Sequence, residues 1–182
     1  ILFRRDGRIR NCFPREKSMS RLPLLLMTSV LTCIVSAQAP AQNWPRFRGE
    51  NGLGICDLPG IPSSWTDDDY AWKIELPYIG HSSPIVWGKT LFVTSATEGG
   101  GERFVHCLNA DTGKELWQKS IKLNESRKHQ KNSWASSTPV TDGDRVYVLF
   151  ADDAQLLAVA WDFSGQEAWR RELGAYESEH GL

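Results

Sequence analysis
From residue 82 onward the chain reads as short apolar runs separated by turn residues, and the runs recur in step. The stretch Ser82-Ser83-Pro84-Ile85-Val86-Trp87-Gly88-Lys89-Thr90-Leu91-Phe92-Val93 returns as Ser137-Thr138-Pro139-Val140-Thr141-Asp142-Gly143-Asp144-Arg145-Val146-Tyr147-Val148. Pro84 and Pro139 match at an offset of 55 residues, as do Gly88 and Gly143. Each copy predicts strand, tight turn, strand. Ile85-Val86 and Val140-Thr141 are β-prone, glycine supplies the turn, and the run after it is β-branched or aromatic. Proline at the head of the first strand is tolerated because its missing N–H falls at a strand end.

A second pair of stretches follows the first. The run from Val105 through Leu108-Asn109-Ala110-Asp111-Thr112-Gly113 to Trp117 matches that from Leu157 through Trp161-Asp162-Phe163-Ser164-Gly165 to Trp169. Gly113 and Gly165 match at an offset of 52, as do Trp117 and Trp169, and the step from Gly to Trp is four residues in both. This predicts two more strands per unit, joined by an Asx-type turn closed by glycine. Each unit therefore supplies four short antiparallel strands. Trp72, in Ala71-Trp72-Lys73-Ile74-Glu75-Leu76, reads as the last strand of an earlier unit. A repeat at this spacing implies stacked units that share apolar faces, since one unit cannot bury its own.

Composition adds little to this pattern except through the tryptophans. The chain is 41% hydrophobic and 24% charged, with eight Trp, enough large side chains for a core. The formal charge of −1 is uneven. Residues 1–21 hold seven Lys or Arg against two acids, +5, which leaves −6 on the remainder. A mildly acidic body offers no field for nucleic acid or anionic lipid, so neither is expected as a partner. Cys56 and Cys107 could form a disulfide in an oxidising compartment, or stand as two separate, mostly buried thiols; the second is the favoured reading. No residues show metal-ligand spacing, and none is assigned a catalytic role.

The N-terminal part reads as a targeting segment. From Met19, a short basic region is followed by an apolar run over 22–35 and by small residues, Ser36-Ala37-Gln38-Ala39-Pro40-Ala41. This is the three-part pattern of a secretory signal peptide, and the run is too short for a span of about 20 residues. The expected organisation is an upstream extension over 1–18, a signal peptide over 19–41 and a repeat body over 42–182. The body is expected in a periplasm or outside the cell, with no membrane span.

Units of four strands with Asp/Asn-x-x-(Thr)-Gly-x-x-x-Trp before the last strand resemble the PQQ-like repeats of quinoprotein β-propellers. The opening Asn43-Trp44-Pro45-Arg46-Phe47-Arg48-Gly49 is similar to the start of secreted bacterial proteins of that kind. The resemblance implies an all-β fold, a partial β-propeller of four-stranded antiparallel blades. It also implies that Trp72, Gly113, Trp117, Gly165 and Trp169 are structural, with the Trp wedged between blades. Two units and a remnant do not close a ring, so the sequence is expected to be the N-terminal fragment of a larger propeller.

Loops that run from the last strand of one blade to the first of the next would line one mouth of the channel. They carry His81, then His129, Asn132 and Trp134, then His180, which are the candidate binding residues for a protein or small-molecule ligand. Asp67-Asp68-Asp69 reads as a solvated acidic loop, and Gly99-Gly100-Gly101 as a flexible hairpin tip. The expected function is a non-enzymatic binding or scaffold propeller; relatives of this shape include the barrel-assembly lipoprotein of the outer membrane. The alternative is a PQQ-dependent alcohol or sugar dehydrogenase whose catalytic residues lie further along. There the resemblance implies PQQ in the channel between a Trp and a vicinal disulfide, with Ca²⁺ and a catalytic Asp. PQQ enters through the resemblance alone.

Overall fold
The computed structural model describes residues 43–57 and 62–175. The targeting segment over 19–41, the extension before it and His180 lie outside the described residues. Eight strands form two four-stranded antiparallel sheets, each in sequential order. The first holds β1 (Ile85–Trp87), β2 (Thr90–Ala96), β3 (Glu102–Asn109) and β4 (Glu115–Lys122). The second holds β5 (Val140–Thr141), β6 (Arg145–Ala151), β7 (Leu156–Asp162) and β8 (Glu167–Gly174). The two sheets are successive blades of a β-propeller, and each sequence repeat is one blade. Of the strands in different sheets, β1 and β5 approach one another, which marks them as the inner strands.

Strand register explains the choice of residues at each step. Phe92 pairs with Cys107, and Cys107 pairs with Trp117. In the second blade Tyr147 pairs with Ala160, and Ala160 with Trp169. The small middle residue lets the indole lean across to the aromatic ring two strands away. The ring centroids lie 5.8 Å apart for Phe92 and Trp117 and 5.9 Å for Tyr147 and Trp169. Cys107 is thus the low point beneath Trp117. It is a free, fully buried thiol, so the disulfide with Cys56 is not formed. Burial and the nearby Glu115 carboxylate push the thiol up to about 12, which makes it unreactive at neutral pH.

Between the blades, Trp117 lies over the next unit. Its Nε1 donates to the carbonyl of Phe163 at 2.9 Å, and its ring covers the β7–β8 turn at Gly165. A Cβ built on Gly165 would fall 3.0 Å from the indole, and Gly165 has φ of 86°. Trp72 repeats the arrangement one unit earlier: Nε1 donates to Ala110 at 2.8 Å, and a Cβ on Gly113 would lie 2.6 Å from the ring. The Gly and Trp that sit four residues apart in sequence therefore serve different seams. Gly113 receives the Trp of the unit before, while Trp117 covers the Gly of the unit after.

The seam core joins Ile85, Phe92, Val105, Cys107 and Ile121 of the first blade to Val146, Val148, Phe150, Leu157, Val159 and Trp161 of the second. The other face of the first blade, with Val86, Leu91, Val93 and Leu108, is covered by Trp44, Trp72 and Leu76. As a result β2 is buried along nearly its whole length, whereas β6 alternates between buried and accessible positions. Residues 70–76 were expected as a strand. They form no strand in the structure, although Trp72 makes the expected seam contact. Among the described residues no helix is long and apolar enough to cross a membrane.

Replacing Trp117 by Ala should cost about 3–5 kcal/mol in chemical denaturation, the range for a core Trp. Gly165→Val should destabilise the same seam although it adds only apolar volume, because the left-handed backbone and the indole both oppose a Cβ. A Gly165→Val variant as stable as the parent chain would contradict this packing.

Candidate functional site
Loops entering each blade, together with the β2–β3 and β6–β7 turns, gather at one end of the strands. This loop end carries His81, His129, Asn132 and Trp134 of the residues singled out from sequence; His180 lies outside the described residues. The segment over 123–139 crosses from β4 to β5 and is tied down at its start, at Asn124, and further along, at Ala135. At its start, Asp152 of the β6–β7 turn accepts from the Asn124 amide at 2.9 Å and from Asn124 Nδ2 at 3.0 Å. The other Asp152 oxygen accepts from the amides of Ala154 and Gln155, both at 2.8 Å. Burial pushes the Asp152 carboxyl up, but these amide hydrogen bonds outweigh it and hold the group below the usual carboxylate range.

Arg103 lies beside this carboxylate, fully buried on β3. Its Nη2 donates to the Ala151 carbonyl at 2.9 Å, while Nε and Nη1 have no hydrogen-bond partner. Burial lowers the guanidinium to about 10, and the charge of Asp152 opposes that drop. Arg103 and Trp134 close directly over Gly100. Gly100 is buried, so the Gly99-Gly100-Gly101 run is a packed floor, not the flexible tip expected from sequence. No Cβ fits there.

The predicted residues fall into two groups. His81 is exposed, and its backbone amide donates to Ser133 Oγ at 3.0 Å and to the Ala135 carbonyl at 3.1 Å. This brings the His81 loop against the Asn132–Trp134 loop across the seam. Asn132 Oδ1 accepts from Ser136 Oγ. Trp134 is half-buried, donates from Nε1 to Ser126 at 2.7 Å, and lies under Lys128 Nζ, 5.0 Å from its ring centre. His129 is exposed and folds locally: its Nδ1 accepts from the Lys131 amide at 3.2 Å. Asp67–Asp69 form an exposed 3-10 turn in which the Asp69 carboxylate accepts from the Thr66 amide at 2.8 Å.

A recess of about 250 Å³ opens at this end, outside the seam. One wall holds Asn132, Ser133, Trp134, Ser136 and Ser137; the other holds Leu149, Phe150, Ala151 and Leu156. Its counterpart on the first blade is already filled. Thr94 there stands where Leu149 stands in the second blade. Its Oγ1 donates to the carbonyls of Ala135 and Ser137, at 3.5 and 3.3 Å, while the amides of His81 and Ser82 donate to Ala135. The occupant of that slot is an extended polypeptide segment.

Sequence reasoning missed a second polar group, on the far face of the first blade. Ser95 Oγ and His106 Nε2 share a hydrogen bond of 2.7 Å, and His106 Nδ1 and Glu115 Oε1 share one of 2.9 Å. The order matches that of an activated serine nucleophile. Ser95 is only 2% exposed, however, and the chain at Gly80 runs directly over it, so no substrate carbonyl can approach. The trio instead satisfies three polar groups under the Tyr78–Ile79 segment, where Tyr78 stacks on Phe104 at 4.5 Å. The available signal was a His between Val105 and Cys107, in register with core-facing Phe104 and Leu108.

Among the described residues, no group of three or more His, Cys, Asp and Glu is placed to hold a metal ion. Residues 101–179 match the family model described as outer membrane protein assembly factor BamB. Among solved structures, the chain is similar to BamB from Moraxella catarrhalis, with 20% identity over 56% of this chain and a TM-score of 0.38. The chain spans about a quarter, 26%, of that protein's length. No curated protein matches it.

The buried pair at this site should respond asymmetrically to mutation. Arg103→Met removes a charge that has few hydrogen bonds and should cost little. Asp152→Ala removes the acceptor of the Asn124, Ala154 and Gln155 amides and the nearby negative charge, and should cost more, about 1–3 kcal/mol. Asp152 has a folded pKa below its unfolded value of about 3.9. Its contribution is therefore complete above that value and is lost as pH falls through the lower, folded one. The stability gap between the parent chain and Asp152→Asn should close over that acid range; a gap constant with pH would contradict the assignment.

Proposed function
We propose that this chain, built of PQQ-like β-propeller repeats, is a non-enzymatic binding or scaffold protein that takes an extended polypeptide segment at the loop end of its blades. One observation carries this reading. The recess beside Asn132 and Trp134 has a repeat counterpart on the first blade, and that counterpart is occupied by main chain over 135–137. By the repeat, the same geometry would take the segment entering a following blade or a partner segment of matching backbone: Asn132, Ser133, Ser136 and Ser137 supply hydroxyl and amide groups, and Leu149, Ala151 and Leu156 supply aliphatic surface.

Recognition of an extended segment by main-chain hydrogen bonds, with shallow apolar contacts for side chains, is a general mode of peptide binding. Leu149, which lines the recess, is 40% exposed. His81 and His129, both exposed on the same loop end, are offered as further polar contacts. The working location is a periplasm or the cell exterior, given the segment over 19–41. The similarity to an outer membrane assembly factor favours a protein partner over a small molecule.

A photo-reactive amino acid placed at Leu149 in the exported protein tests this. Irradiation should cross-link a polypeptide, and Ala151→Arg, which fills the recess, should abolish that adduct while an exposed control such as Asp153→Arg leaves it intact. Equal cross-linking in both variants would refute the site.

A further inference from the structure
The repeat resemblance implies a quinone cofactor on the propeller axis, and the inner edges of these two blades can be tested for its fit. The axial side is the one where β1 and β5 converge. It is not an open edge. Trp44 pairs with Val86 in both directions, donating to its carbonyl at 2.7 Å and accepting from its amide at 2.9 Å. Asn43 Oδ1 accepts from the Gly88 amide at 2.9 Å. Pro45 then accepts from the Thr141 amide at 2.9 Å, so the same three residues join the inner strands of both blades.

This segment is held by a lock of its own. Gly49, at φ of 77°, places its backbone against the Trp44 ring, where a Cβ would lie 2.8 Å from the indole. Arg46 donates from Nη2 to Glu50 at 2.9 Å, and the Gly54 amide donates to Arg48 at 2.9 Å. Phe47, Leu53 and Ile55 are each more than half exposed.

A quinone of the implied kind needs a free indole face, a vicinal cysteine pair and a carboxylate-bound cation. No two cysteines are adjacent in the chain. The indoles nearest the inner edge are already covered: Trp44 by Gly49, and Trp87 by the second blade's turn at Gly143. Among the described residues, these two inner edges offer no vicinal cysteines and no indole clear of a turn glycine. We infer that residues 43–45, locked in place by 46–54, form an axial strap that clamps the inner strands of these two blades together and takes up the edge a channel cofactor would face. The strap leaves the loop end as the face for partners, but it rests on contacts separate from the recess, so either assignment can fail without the other.

Amide hydrogen exchange on the full chain tests the strap. Val86 and Thr141 are inner-strand amides with no other partner strand on that side, so their protection reports strap occupancy. Both should be protected, and should stay protected when PQQ and Ca²⁺ are added. Gly49→Val should speed exchange at Val86, Gly88 and Thr141 at least tenfold while Val105 and Val148 remain slow. Should that variant unfold as a whole, Asn43→Ala should release Gly88 alone. Rapid exchange at Thr141 in the parent chain, loss of its protection on adding PQQ with Ca²⁺, or unchanged protection in a folded Gly49→Val variant would each overturn the inference.

Discussion
The structure depends on one contact made repeatedly: an indole that precedes a unit, from strand β4 or from the irregular segment at Trp72, lies on the turn of that unit and donates its N–H to a carbonyl there. Trp72 does this at Ala110 and Gly113, and Trp117 at Phe163 and Gly165. The contact works because a four-stranded sheet has two apolar faces and too few residues to cover either. The indole buries a large area, and its hydrogen bond fixes where along the turn it sits. Glycine is required beneath it both because the turn needs a left-handed residue and because any Cβ would meet the ring.

That arrangement directs the remaining polar chemistry to the ends of the strands. At the turn end, short Asx turns leave little to recognise beyond their own hydrogen bonds. At the loop end, the long crossover from β4 to β5 must travel from the outer to the inner edge, and it carries enough residues to build walls. Asp152 holds its beginning, and the amides of His81 and Ser82 hold its middle. A loop fixed at both points is a rigid rim, and rigid rims suit binding better than mobile ones. The axial edge of these two blades is paired with the chain's own segment over 43–45.

The buried polar groups show how the same scaffold treats charge. Arg103 and Asp152 sit together in the seam, with Asp152 fully hydrogen-bonded and Arg103 only partly so. Ser95, His106 and Glu115 have the order of a catalytic relay but no access for a substrate. Geometry within a trio is insufficient for catalysis without a space beside the nucleophile. In both clusters the hydrogen bonds serve to place segments that cross the sheets.

Strand positions and turn glycines within the two full units were legible because they depend on local rules: period-two burial, φ at turns, and spacing within a unit; the strand expected over 70–76 did not form. The pairing of Gly165 with Trp117, and not with Trp169, was not legible, because it joins residues of different units. The same holds for the packed Gly100, buried under Arg103 and Trp134, and for Ser95 meeting His106, eleven residues away. It holds above all for residues 43–45, whose carbonyls and amides reach strands about 40 and 95 residues along the chain. Sequence alone determined which units form and how each is stranded. Which faces are covered, and by what, was decided in three dimensions, since burial is a property of neighbours and backbone hydrogen bonds leave no mark on residue type.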